Sequence, residues 1–422
     1  MEIIYSRCAG LDVHKQTVEC AVRLAEPKGS APVEVRQFGT MTDDLLEMVE
    51  WLKAQRVTHV AMESTGVFWK PIYNVLEGHF TVLLVNARHV KQVPGRKTDV
   101  RDCQWLAQLL QCGLLKASFI PPRWQRELRD LTRERTQLID EQTRVANRIH
   151  KVLEDGNIKL GSVATDILGV SGRDILQGLI AGQEDPEKLA EKARGRLRAK
   201  IPQLRLALRG HLREHHRFEL RLHLDHLQRL EELIARLNER VAELCKPHRE
   251  QIQLLDGIVG LDQAGAESVV AEVGVEMEVF PTDGHLCSWA GICSGNNESA
   301  GKRRSGRIPK GDRWLRRTLV LAAQAASHAK DSFLASRFRR LAARRGKKRA
   351  CVAVGHSILR IVYHVLKDGR PYRDLGGNYF DRLDPERLTR YLVRRLERLG
   401  HQVSLAPAPS IQVPNRLSPT TV

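Results

Sequence analysis

The stretch Ala9-Gly10-Leu11-Asp12-Val13-His14-Lys15-Gln16 is an apolar run that ends around a carboxylate and then turns polar. A second run, Val57-Thr58-His59-Val60-Ala61-Met62-Glu63, also ends on an acid. Short apolar runs bounded by polar turns read as strands, which places Asp12 and Glu63 at strand ends. Two more acids, Asp99 and Asp102, open a predicted helix, Thr98-Asp99-Val100-Arg101-Asp102-Cys103-Gln104-Trp105-Leu106. Residues three apart share a helical face, so these two point the same way. Acids gathered in one place repel, by about 4 kcal/mol for a pair ~4 Å apart at an effective dielectric of ~20, and such a pocket needs cations. Carboxylate oxygens suit Mg²⁺ or Mn²⁺, and paired divalent ions suit phosphodiester chemistry. The plain alternative is four solvated or capping acids, with Asp99 merely complementing a helix dipole.

Working outward, Ile4–Val13, Thr17–Leu24 and Val33–Thr40 alternate in a strand-like way, with turn signals at Glu26-Pro27-Lys28-Gly29-Ser30. Helical spacing of Leu45, Leu46, Met48, Val49 and Leu52 then marks Asp43–Gln55. A strand (Val57–Met62), a helix (Val67–Glu77), a strand (Thr81–Val85) and the helix opened by Asp99 follow. A three-stranded meander followed by alternating helix and strand describes a ribonuclease-H-like α/β domain. In that fold, carboxylates on the first strand, the fourth strand and a late helix converge. The basic segment Asn86–Lys97, with Arg88, Lys91, Arg96 and Lys97 around a Pro-Gly break, reads as a phosphate-contacting loop or, more plainly, a solvated one.

From Arg126 to Glu154, and again from about Leu204 to Cys245, near-heptad apolar spacing between charges predicts long helices. These form either a coiled-coil arm or a helical bundle, and residues 155–200 read as a small, partly helical insert. His211, His215, His216, His223 and His226 lie on an Arg-rich helix and read as solvated or phosphate-contacting rather than zinc-binding. Gly257-Ile258-Val259-Gly260, between two helical patterns, is similar to a helix-hairpin-helix turn. Beyond it runs a Gly/Ser/Asn-rich basic loop, Ser294-Gly295-Asn296-Asn297-Glu298-Ser299-Ala300-Gly301-Lys302-Arg303-Arg304-Ser305-Gly306-Arg307-Ile308-Pro309-Lys310-Gly311-Asp312-Arg313. A serine in such a setting can act as a nucleophile, because cations stabilise the charge of a phosphorane-like transition state. Equally, the loop can simply grip a phosphate backbone. Arg337–Arg349 is a further basic patch, and the tail after about Leu399 reads as disordered.

The chain of 422 residues carries 68 Lys+Arg against 50 Asp+Glu, a net charge of +18 and a pI near 9.8. That balance points to a polyanionic partner, nucleic acid before membrane. No signal-peptide layout and no apolar stretch of membrane-spanning length is visible. The eight cysteines contain no CxxC pair, so a reduced, cytoplasmic protein without zinc is expected.

Taken together, Gly10-Leu11-Asp12-Val13-His14-Lys15, Met62-Glu63-Ser64-Thr65-Gly66, Lys97-Thr98-Asp99-Val100-Arg101-Asp102 and Glu298-Ser299-Ala300-Gly301-Lys302-Arg303 through Lys310-Gly311 resemble the motifs of the DEDD transposases of insertion-sequence family 110. Those proteins are bacterial bridge-RNA-guided recombinases. The resemblance implies an α/β plus α architecture: a RuvC/RNase H-like domain over residues 1–124, a coiled-coil arm over 125–250, a mostly helical transposase domain over 251–385, and a tail over 386–422. It implies a composite site, with Asp12, Glu63, Asp99 and Asp102 holding Mg²⁺ (or Mn²⁺) and Ser299 forming a covalent phosphoserine. Lys302, Arg303, Arg304, Arg307, Lys310 and Arg313 would bind nucleic acid. The implied partners are donor and target double-stranded DNA, a structured bridge RNA, and further copies of the chain as a dimer assembling to a tetramer. The competing reading is a metal-dependent RuvC-like nuclease or Holliday-junction resolvase with no covalent intermediate.

Overall fold

Three strands, β1 (Arg7–Val13), β2 (Thr17–Leu24) and β3 (Val33–Gly39), follow one another as an antiparallel meander. Helix α1 (Thr42–Ala54) leads to β4 (His59–Glu63), and α2 (Trp69–Leu76) leads to β5 (Thr81–Val85). Both later strands run parallel to β1 and give the sheet order β3-β2-β1-β4-β5. Helix α3 (Asp102–Gln111) follows. The computed structural model describes residues 3–25, 33–64, 66–86, 90, 102–295, 297–299 and 302–406. These fall into two units, Met1–Pro122 and Arg123–Val422.

Period-two alternation assigns the two sheet faces. Ala9, Leu11, Val13, Val18, Cys20, Val22, Val60 and Met62 pack with Leu45, Met48, Val49 and Leu52 of α1 and Ile72 and Leu76 of α2. The opposite face is smaller and belongs to α3: Cys8 and Ala61 meet Leu110, and Ala21 meets Cys103 and Ala107. Gly10 is what lets α3 lie so close, since a Cβ there would sit 2.3 Å from the Cys103 carbonyl oxygen and 2.4 Å from the Ala107 nitrogen. Gly10→Val is therefore expected to cost about 3 kcal/mol through overpacking, read as a lower urea midpoint.

The second unit is helical. Helix α4 (Arg123–Asp155) and, after α5 (Val170–Ile180) and shorter turns, α6 (Glu214–Cys245) are its longest early elements. They run antiparallel, as their cross-pairs show: Arg135 with Asn238, Gln142 with Glu231, and His216 with Asp155. The near-heptad pattern thus yields a helical hairpin within one chain. The second long helix starts at Glu214 rather than near Leu204, because the chain breaks after Leu208 around Gly210. At the hairpin tip, Val145, Ile149 and Leu153 of α4 and Leu220 and Leu227 of α6 share a core with Ile175, Leu176 and Leu189 of the insert.

The hairpin root joins a second core with α7 (Arg249–Asp256), α8 (Gln263–Val273) and α9 (Asp283–Trp289). Strands β6 (Asn297–Ser299) and β7 (Lys302–Ser305) form a two-stranded hairpin, so part of the stretch read as a loop is ordered by cross-strand pairing. Helices α10 (Arg313–Ser327), α11 (Phe333–Arg345) and α12 (Lys347–Asp368) complete that core. Contrary to the expectation from hydropathy, α12 is long and apolar enough to cross a membrane, but Val354, Ile358, Leu359 and Val362 are buried at its centre. It is a core helix. After α13 (Tyr379–Leu383) comes α14 (Pro385–Arg398), which ends just before Leu399, where the Pro/Ser/Thr-rich tail begins. Residues 407–422 lie outside the described residues.

Helix α4 is bolted to the C-terminal helices by ion pairs that are buried or half-buried. Arg135 and Glu267, each 6% exposed, meet at 2.7 Å, and Arg135 also donates to Asn238 and to the Ala264 carbonyl. Arg133 grips Glu272 with two 2.7 Å bonds, and burial pushes the Glu272 carboxyl up while Arg133 opposes the shift. Removing one partner strands the other charge, so Glu267→Ala is expected to cost about 3–5 kcal/mol, measurable by chemical denaturation.

Candidate active site

Asp12 lies on the α3 face of β1, in step with Cys8 and Gly10. Glu63 lies on the same face of β4, in step with Ala61. The parallel register pairs Leu11 with Met62, so the next residues along, Asp12 and Glu63, are neighbours at the strand ends. Asp102 is the first residue of α3, the helix that Gly10 admits onto this face. The acids read from two strand ends and a helix start thus gather on one side of the sheet. Asp99 lies outside the described residues, as do Arg88, Lys91, Arg96 and Lys97.

The electrostatics follow from that crowding. Partial burial holds the Asp12 carboxyl above the usual carboxylate range; His14 opposes the shift, and the charges of Asp102 and Glu19 add to it. His14 Nε2 lies 3.2 Å from Asp12 Oδ2. Glu19 is a further acid that the sequence reading did not single out. It pairs with Asp12 across the β1–β2 register and faces α3, where the Cys103 thiol lies 3.9 Å from its Oε2. The signal was present: a tight turn after Val13 puts residue 19 opposite residue 12.

Such a site can hold a hard divalent cation. Its donors are carboxylate oxygens, its partly buried acid is disfavoured as an anion without one, and oxygen ligands of this kind suit Mg²⁺ or Mn²⁺. Elsewhere, Asp155, His215 and His216 present ligand atoms within 4.8 Å of one another. There, hydrogen bonding argues for a structural role. His216 Nδ1 accepts from the Arg213 amide, which leaves Nε2 as the donor to Asp155 at 2.9 Å. A metal at Nε2 would have to displace both bonds.

In the second unit, Ser299 ends β6 and pairs with Lys302, the first residue of β7, while Glu298 pairs with Arg303. The hairpin base is held by close backbone approach: the Arg307 carbonyl packs against Gly295, and Gly311 packs against Gly291. Immediately after it, Asp312 caps α10 by accepting from the amides of Trp314 (2.8 Å) and Leu315 (2.9 Å), and it lies 3.5 Å from Arg133. Lys302, Arg307, Lys310 and Arg313 are exposed, and the Arg313 guanidinium covers the Trp314 ring at 4.7 Å. Arg304 also lies on β7. The turn Gly257–Gly260 joins α7 to α8. Gly260 has a φ of 93°, and a Cβ there would sit 2.3 Å from the Ala322 carbonyl oxygen, so the turn packs closely on α10.

Acids gathered on one sheet face in the first unit, and a basic hairpin in the second, are the chemistry of a class of enzyme that works on nucleic-acid phosphodiesters. Family models give the particular case. A DEDD transposase model of the IS110 type matches residues 9–158, and a model described as transposase IS116/IS110/IS902 family matches residues 252–338. The chain belongs to the IS110 family of transposases and is a DNA transposase/recombinase. No curated protein matches it.

Proposed function

We propose that the first unit is a ribonuclease-H/RuvC-like nuclease domain and that the chain recombines DNA through a phosphoserine intermediate formed by Ser299. The observation that carries this reading is the convergence of Asp12, Glu63 and Asp102 on one sheet face, with Asp12 raised by burial beside like charges. Sheet order β3-β2-β1-β4-β5, antiparallel then parallel, supports the fold assignment. Asp12, Glu63, Asp99 and Asp102 would hold Mg²⁺ or Mn²⁺, which when bound polarises the scissile phosphate and stabilises the leaving oxygen.

The residues of the chain do the rest. Ser299 Oγ forms a bond to phosphorus as one backbone P–O bond breaks; the serine proton goes to a base, and the departing sugar oxygen takes up a proton. The exposed Lys302, Arg307 and Lys310, with Arg303 and Arg304 on the same hairpin, neutralise phosphate charge around that step. Retaining the phosphoryl group on the enzyme conserves the bond for rejoining. Site choice by a bridge RNA that pairs with donor and target DNA, and assembly as a dimer or tetramer, belong to the same proposal and rest on the family. In that division of labour pairing reads sequence, while the protein reads charge and shape.

The test is a denaturing-gel assay of purified protein with its co-purified RNA, Mg²⁺ and end-labelled DNA. A protein-linked DNA band is expected. Cleaved DNA with no linked band would instead establish a nuclease or junction resolvase using the acids alone.

A further inference from the structure

We infer that the corner between α11 and α12 is a separate docking surface for the backbone of duplex DNA. The stretch Ala343-Arg344-Arg345-Gly346-Lys347-Lys348-Arg349 is exposed at every residue and carries five cations and no acid. Arg339 and Arg340, on the preceding turns of α11, are exposed as well.

Pairing within the fold does not account for these charges. Among the described residues, none of the five has a carboxylate within ion-pair distance. By contrast, exposed arginines on α6 do find partners, Arg229 with Glu232 and Arg240 with Glu243. Nor does helix electrostatics account for them. Arg344 and Arg345 suit the C-terminal end of α11, but Lys347, Lys348 and Arg349 occupy the first turn of α12, where the helix dipole repels cations. The charges are held on a stiff frame. Ala350, Cys351 and Val354 of α12 are buried directly after them, Leu334 and Ala335 anchor the far end of α11, and Gly346, at a φ of 82°, makes the turn between the helices without a loop.

The chemistry of the patch selects its partner. Surfaces that hold single strands interleave cations with open aromatic platforms for the bases; no aromatic residue lies between Arg339 and Arg349, and the neighbouring Phe380 ring is covered by the Arg340 guanidinium at 4.8 Å. Surfaces that enter a membrane present large apolar side chains beside the cations, and the exposed stretch offers only Ala343. An exposed, purely cationic corner held between two helices fits the regular phosphates of a duplex. It lies beyond residue 338, where the matched transposase domain ends, and is distinct from the β6–β7 hairpin.

The experiment compares the full-length protein with Arg345→Ala/Lys347→Ala/Lys348→Ala by fluorescence anisotropy on a random-sequence duplex between 50 and 200 mM NaCl. Each phosphate contact contributes about 0.9 to the log–log salt slope on B-DNA. The triple variant should therefore lose about 2–3 from that slope and bind on the order of tenfold more weakly at the middle of the range. A control with Arg221→Ala/Arg229→Ala/Arg240→Ala on α6 should keep the wild-type slope, and Arg345→Lys/Lys347→Arg/Lys348→Arg should keep it too. An unchanged slope in the first variant overturns the inference, as does an equal loss in the α6 control, which would report net charge alone. Loss in the charge-conserving variant would report damage to the corner and also overturn it. An equal drop on oligo-dT would exclude duplex selectivity. Binding to phosphatidylserine vesicles that the triple variant abolishes, with duplex binding intact, would reassign the patch to a membrane.

Discussion

Asp12→Asn is expected to abolish DNA strand cleavage, by about a thousandfold or more, while leaving the chain folded and at least as stable as the wild type. The two halves of that expectation come from the same geometry. Asp12 sits at the end of β1 beside Glu63 on β4 and faces the start of α3 at Asp102, with Glu19 opposite it on β2. Partial burial and these like charges make its anion costly in the folded chain. The amide fits the same space and removes that cost. It also removes a full negative charge from the donor set, and divalent-ion stabilisation of a phosphoryl transition state is worth several kcal/mol; about 4 kcal/mol is a thousandfold in rate. The measurement pairs a cleavage time course in Mg²⁺ with a thermal melt. Loss of cleavage together with a lower melting temperature would mean that Asp12 is structural. Unchanged cleavage would remove it from the site altogether.

Glu19→Gln is a useful companion on the same sheet face, because the sequence reading passed over it. The placement of Asp12 and Glu63 at strand ends was legible because an apolar run stops at each, and that of Asp102 because it opens a helical pattern. Glu19 lies in mid-strand, and its place opposite Asp12 exists only once the β1–β2 register is known. The same limit hid the ion pairs of α4. Arg133 is 139 residues from Glu272 and 179 from the cap at Asp312; to a periodicity argument they are charges between leucines. The sheet itself was legible because its strands alternate and its core face is uniformly apolar. The β6–β7 hairpin was not, because Asn, Ser, Gly and Arg carry little strand preference, and cross-strand pairing over a few residues supplies what order there is. Gly260 shows a related limit. A glycine in a turn signals close approach, but only the packed structure shows that the approaching backbone is that of α10.

Ser299→Ala should eliminate the covalent protein–DNA species completely, and with it recombination. Asp12→Asn should also remove that species, since both act in one proposed reaction, so the adduct alone does not separate the two roles. Binding does. Ser299 ends β6 on a hairpin whose base is fixed by Gly291 against Gly311 and by the Arg307 carbonyl against Gly295. Deleting one hydroxyl at the far end leaves that base and the basic residues Lys302, Arg307 and Lys310 in place. DNA affinity and its salt slope should therefore match the wild type within about twofold, since no phosphate-neutralising cation is lost. Ser294→Ala and Ser305→Ala serve as comparisons from the same basic stretch and should retain the adduct; Ser305 Oγ already accepts the Arg307 amide at 3.2 Å. Should Ser299→Ala keep the adduct while one of these loses it, the nucleophile would be reassigned along the hairpin. If all three keep it, the linkage runs through another side chain. If the wild type cleaves DNA and no linked species forms under any condition, the acids act alone, and Ser299 belongs to the grip on the backbone rather than to the chemistry.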